Sequence, residues 1–183
     1  MIESRAKPVF SIIDADKPAT EYLDGRPYRK MSPKATHAFV QGAFVVLLRD
    51  QGAGIGKCLP ELHCQLGEVD GTRTIFVPDV AFIVKQRWEA LAHRKRQEPP
   101  FAPDIAVEIR SPGESGRLRG RKIARYLATG ATIVFDVDPA LREIHVCDRK
   151  ETRTIDRNGR FEDPRFPWLV FSAATIFADL DDL

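Results

Sequence analysis

The chain holds 183 residues, 43% of them apolar and 30% charged, with a formal net charge of +2. That length suits one domain with a sizeable buried core, and the composition is that of a soluble globular protein rather than a fibrous or disordered one. So slight a net charge selects no partner, and no apolar run approaches the ~20 residues that a membrane helix needs.

Met1 to Ser11 carries charges and a proline but no long apolar core, so no signal peptide is expected. Cys58, Cys64 and Cys147 form no CxxC pair and are odd in number, which points to reduced thiols in a cytoplasmic protein. Residues 1–20 form a lead-in without clear period, and 21–183 a single domain.

Tyr22 to Arg29 reads as a hairpin turning at Asp24-Gly25. Thr36 is a suitable N-cap for a helix from about His37 to Arg49, whose apolar residues form a broad buried face. His37 is either a solvated or capping residue or a functional one. Ile55 to Leu66 is strand-like and contains Glu61 and His63, and Asp70-Gly71 signals a turn. Residues 60–68 and 73–84 should therefore pair antiparallel, bringing Glu61 towards Asp79. Within the run Ile75 to Val84, Pro78 removes a ladder hydrogen bond, so the chain bends there and re-enters the sheet at Asp79.

Residues 85–102 read as a short helix or loop anchored by Trp88 and Leu91. The run from His93 to Arg96 is a solvated face or a phosphate contact. Then comes the most informative stretch, Pro103 to Pro112. Ile105, Val107 and Ile109 alternate with Ala106, Glu108 and Arg110 on an apolar strand. A buried ionised Glu costs several kcal/mol unless a metal ion or a nearby lysine compensates it.

A basic helix from Gly116 to Thr129 supplies such a lysine, Lys122, on a stripe with Arg119 and Tyr126 that borders its apolar face. Arg117, Arg121 and Arg125 make a second row that has no acidic partner within the helix. That row repels itself unless an anion such as phosphate lies against it. Apolar strands at 131–137 and 143–147, a shorter one at 150–155, a turn at Asn158-Gly159 and a helix capped by Ser172 or Thr175 complete the chain. The pattern is a mixed α/β fold with helices flanking a mixed sheet.

The order Pro78-Asp79, Val107-Glu108, Ser111-Pro112 and Lys122-x-x-x-Tyr126, with Tyr22-Leu-Asp-Gly, Met31-Ser-Pro and His37 upstream, resembles the Uma-two family of bacterial endonucleases. That family belongs to the PD-(D/E)xK restriction-endonuclease-like superfamily. The resemblance implies a Mg²⁺-dependent DNA endonuclease, with Mn²⁺ as an alternative ion. Asp79 and Glu108 would be metal ligands, joined by the Ile109 carbonyl and, as a further candidate, Glu61, while Lys122 would serve the reaction. Arg110, Arg117, Arg119, Arg121 and Arg125 are the candidate nucleic-acid contacts. Arg110 departs from the superfamily pattern, since many members carry Lys there; Gly113 and Leu118 depart from the family's loop. A catalytically inactive DNA-binding module and a non-nuclease interaction protein are the competing readings, and a homodimer would suit a cut through both strands.

Overall fold

The computed structural model describes residues 19–69 and 72–183; the Asp70-Gly71 turn and the lead-in up to residue 18 lie outside the described residues. β1 (Thr20–Leu23) and β2 (Arg26–Arg29) form the expected hairpin, with Asp24 and Gly25 at φ 51° and 73°. Two successive residues at positive φ give a turn whose twist matches that of the flanking strands. α1 (Ala35–Gln51) begins earlier than expected. Lys34 rather than Thr36 is its N-cap, and no side chain caps it. Ala35, a strong helix former, extends the first turn back over Thr36.

The strand-like stretch 55–66 and the run 75–84, expected to bend at Pro78, are each divided by the structure between two sheets. β3 (Gly56–Pro60) pairs with β6 (Val80–Val84), whereas β4 (Cys64–Val69) pairs with β5 (Thr72–Phe76). The corner between β3 and β4 is Glu61, held at φ 50°, and the corner between β5 and β6 is Val77-Pro78-Asp79. The two corners meet: the Glu61 N–H donates to the Asp79 carbonyl at 3.3 Å.

α2 (Lys85–Glu89) leads towards the central strand, β7 (Ile105–Ile109). β7 runs parallel to β8 (Ile133–Asp138), and α3 (Gly116–Ala128) connects them, as the strand–helix–strand pattern predicts. β9 (Glu143–Cys147) and β10 (Thr152–Ile155) continue antiparallel, giving a six-stranded mixed sheet in the order β10-β9-β8-β7-β6-β3. The smaller sheet has the order β2-β1-β5-β4. β11 (Arg160–Phe161), β12 (Phe171–Ser172) and α4 (Ala173–Ile176) close the chain, and the Ser172 hydroxyl caps α4 by accepting the Ala174 N–H.

β7 is buried on both faces, which explains its near-continuous apolar run. Ile105, Val107 and Ile109 pack with Val40, Phe44 and Leu48 of α1 and the aromatic residues Phe135, Phe161 and Phe171. Ala106 belongs to the opposite layer, with Tyr126 and Leu127 of α3 and Phe76 and Leu23 of the smaller sheet. Glu108 shares that layer by alternation, so its carboxylate meets α3 rather than α1. Among the described residues no helix is long and apolar enough to cross a membrane.

β3 also lies so close to β6 that Gly56 has no room for a side chain. A Cβ there would stand 2.4 Å from the Ile83 carbonyl oxygen and 2.5 Å from the Phe82 ring. A main-chain oxygen inside a sheet cannot swing aside, so Gly56→Ala is expected to cost about 1–3 kcal/mol, read as a shift in the urea unfolding midpoint.

Candidate active site

The sheet register brings the two candidate acids together. Val80 pairs with Val107 antiparallel, and one step further along Asp79 comes opposite Glu108. Pro78 has no N–H to continue the ladder. The Asp79 side chain fills the gap, its Oδ2 accepting the Ile109 N–H at 2.7 Å. Ile109, expected to offer its carbonyl, thus meets Asp79 through its amide.

Each acid is matched to a lysine. Lys122 on α3 donates to Glu108 Oε2 at 2.7 Å, and Tyr126, one turn later, donates its hydroxyl to Oε1 at 2.7 Å. Lys122 also bridges to Glu21 at 2.7 Å, and its ammonium lies 5.7 Å from the centre of the Phe76 ring. On the other side Lys30, just past β2, donates to Asp79 Oδ1 at 2.6 Å and to the Val77 carbonyl at 2.8 Å. His37 Nε2 stands 3.3 Å from Asp79 Oδ2, and Gln41 donates to the Asp79 carbonyl at 2.9 Å. Among the described residues the buried His37 Nδ1 atom has no hydrogen-bond partner.

The electrostatics follow from that geometry. Burial would raise the Asp79 pKa, but Lys30 and His37 hold it well below the usual carboxylate range. Glu108 goes the other way: burial dominates, with Lys122 opposing it, and its pKa stands above the ordinary value. Burial lowers the Lys122 pKa, yet the charges of Glu108 and Glu21 more than reverse this, so it stays an ammonium. Burial lifts the Tyr126 phenol far above its normal value. Neither Lys122 nor Tyr126 is therefore suited to accept a proton; both are donors.

Apart from Tyr126, these groups line one cavity of about 1220 Å³, walled by the β1–β2 hairpin, the start of α1, the Glu61 corner and the loop before α3. Its lining carries five carboxylates, Glu21, Glu61, Asp79, Glu108 and Glu114, against the three cations Arg29, Lys30 and Lys122. Glu61 sits at the rim with its side chain half exposed, 3.9 Å from Lys30. Among the described residues, no three His, Cys, Asp or Glu side chains are grouped so as to hold a metal ion. The donor set nevertheless suits a hard divalent cation, because Mg²⁺ commonly takes only one or two protein carboxylates and keeps waters for the rest.

Most of the arginines expected as nucleic-acid contacts are engaged within the protein. Arg119 is only 6% exposed and is clamped by Glu114 and Asp136. Arg110 forks onto Asp136 and Asp138. Arg121 and Arg125 both reach Asp24 in the β1–β2 turn, so the anion that relieves this part of the arginine row is the protein's own. Arg117 is exposed. The His93–Arg96 run forms a short 3-10 turn and lines no part of the cavity.

Glu21, Lys30, Gln41 and the hydroxyl of Tyr126 are site groups that the sequence reading passed over. Glu21 had a signal, since it shares the inward face of β1 with Leu23. Lys30 had none, because its partners are 47 and 49 residues away.

A family model described as "Putative restriction endonuclease", Uma2, matches residues 8–173. A solved structure described as a putative nuclease belonging to DUF820 from Anabaena variabilis ATCC 29413 has the same fold. It superposes with a TM-score of 0.80 at 24% identity, over 92% of this chain and 95% of that one. No curated protein matches the chain.

Proposed function

The chain belongs to the Uma2 family, described as "Putative restriction endonuclease", and on that footing we propose that it hydrolyses phosphodiester bonds in DNA with the help of Mg²⁺ or Mn²⁺. The observation that carries this reading is the convergence of Asp79 and Glu108, from opposed strands, on a cavity that also holds a charged lysine.

Asp79 and Glu108 would hold the ion, with Glu61 at the rim as a further oxygen donor. When bound, such an ion neutralises phosphoryl oxygens and lowers the pKa of a coordinated water. The chain's own residues do the rest. Lys122, kept as an ammonium by two carboxylates, donates hydrogen bonds towards the developing negative charge and is already oriented before substrate arrives. Tyr126 holds Glu108 by one oxygen, so the carboxylate keeps a single orientation. The Ile109 amide and Gln41 fix Asp79 and its backbone in the same way.

The test is cleavage of a labelled DNA with Mg²⁺, Mn²⁺ or chelator. Wild-type protein should cut only with added ion, and Asp79→Ala and Glu108→Ala, checked for folding by circular dichroism, should leave no detectable cutting. Salt-sensitive DNA binding that survives Asp79→Ala without any ion-dependent cleavage would instead favour a binding module.

A further inference from the structure

Every oxygen of the two acids is already engaged, but the partners are of unequal kinds. Asp79 Oδ2 is tied to the main-chain N–H of Ile109, which belongs to the ladder of β7 and cannot leave. Glu108 is tied to Lys122 and Tyr126, both buried on α3, with Lys122 pinned a second time by Glu21. Asp79 Oδ1 is held by Lys30, an unbranched side chain that follows the edge strand β2 and lines the open cavity. Among the described residues, the lysine that can be expelled without disturbing the sheet or α3 is therefore Lys30; His37, on α1, stands 3.3 Å from the other oxygen, Oδ2. The Lys30 ammonium also takes the Val77 carbonyl, an oxygen donor beside Asp79.

We propose that Lys30 is a placeholder cation: in the ion-free protein it holds Asp79 Oδ1 and the Val77 carbonyl, and a divalent ion binding at Asp79 must displace it. Lys30 is thereby a residue that positions Asp79 and sets how much divalent ion the site needs. An aspartate only 1% exposed cannot be left without a countercharge, and Lys30 supplies one while the ion is absent. The displaced ammonium has an acceptor at hand in the half-exposed Glu61, whose Oε1 lies 3.9 Å away, and the carboxylate's second oxygen is left for the ion. Competition follows directly. Two cations that exclude one another at one oxygen weaken each other's binding, commonly by 5–150-fold.

The inference rests on the proposal that Asp79 binds metal, and calorimetric titration with Mn²⁺ in the absence of DNA separates the two. Lys30→Gln is expected to bind Mn²⁺ about tenfold or more tightly than wild type, and Asp79→Asn to abolish binding in either background. A purely structural role for Lys30 would weaken binding, not strengthen it. If Lys30→Gln binds no more tightly while Asp79→Asn still abolishes binding, the placeholder is refuted and the metal site stands. If Asp79→Asn leaves Mn²⁺ binding intact, the metal reading itself fails.

Should Lys30→Gln not fold, the wild-type protein still decides. Acylation by an activated ester, mapped by mass spectrometry, should rise at Lys30 when Mn²⁺ is added while Lys122 stays protected. Unchanged or reduced labelling of Lys30 would overturn the proposal.

Discussion

Lys122→Met is expected to lower cleavage by about 10²–10³-fold, the usual effect of removing a preorganised charge-stabilising donor. The same change is expected to cost about 3–5 kcal/mol of stability, because it leaves buried carboxylates without their cation. Glu21 and Glu108 are 8% and 7% exposed and share that one ammonium. Methionine fills similar volume, so packing changes little and the loss reports on charge. The effect also has a pH signature. Burial already holds the folded Glu108 above the ordinary glutamate value of 4.5, with Lys122 pulling against it. Without Lys122 the folded pKa stands higher still, and folding takes up a proton. A group raised in the folded state contributes stability below its unfolded pKa and loses it as pH rises through the folded one. Lys122→Met should therefore be closest to wild type near pH 5 and furthest from it near pH 9 in urea unfolding. A deficit that is flat with pH would mean that Glu108 does not lean on Lys122.

What the sequence disclosed about this site was local. Alternation placed Glu108 on a different face from Val107, and helical spacing put Lys122 and Tyr126 on one stripe of α3. The Asp24-Gly25 turn was legible because two positive-φ positions select those residue types. What stayed hidden depends on partners distant in the chain. The cuts at Glu61 and Pro78 send β3 and β6 into one sheet and β4 and β5 into the other, yet both halves of each run carry similar strand-forming residues. Pro78 marks a bend in its run, but nothing local marks the corner at Glu61 or says that pairing changes sheet at either. Asp24 neutralises Arg125 across 101 residues, so a helix that looked like an unpartnered basic face turned out to be partly satisfied within the protein. Lys30 was invisible for the same reason, as a lysine next to Arg29 and Met31 reads as ordinary surface. Periodicity identifies the face a residue occupies; only the fold identifies what faces it.

The distant pairing with the largest expected consequence outside the cavity is that of Asp136. It lies beside Glu108 in the parallel register of β7 and β8, is 4% exposed, and accepts from Arg119 at 2.6 Å and from Arg110 at 2.8 Å and 3.2 Å. Arg119 precedes Lys122 by one turn on α3, so Asp136 ties the helix that carries Lys122 to the sheet that carries Glu108. Asp136→Ala strands the buried Arg119 with only Glu114, whose side chain is 28% exposed, and is expected to cost about 3–5 kcal/mol. Cleavage should fall by about 10²-fold as well, since a shift of roughly 1 Å in a catalytic group has that effect. Asp138→Asn touches a pair whose arginine is one-third exposed, and should cost no more than about 1 kcal/mol. Stability and positioning separate in the double replacement Asp136→Leu with Arg119→Met, because exchanging a buried ion pair for apolar groups often restores stability. A variant that regains its unfolding midpoint but not its cleavage rate would show that the charges orient α3 rather than merely hold it. Recovery of both would leave the network no part in the reaction beyond folding.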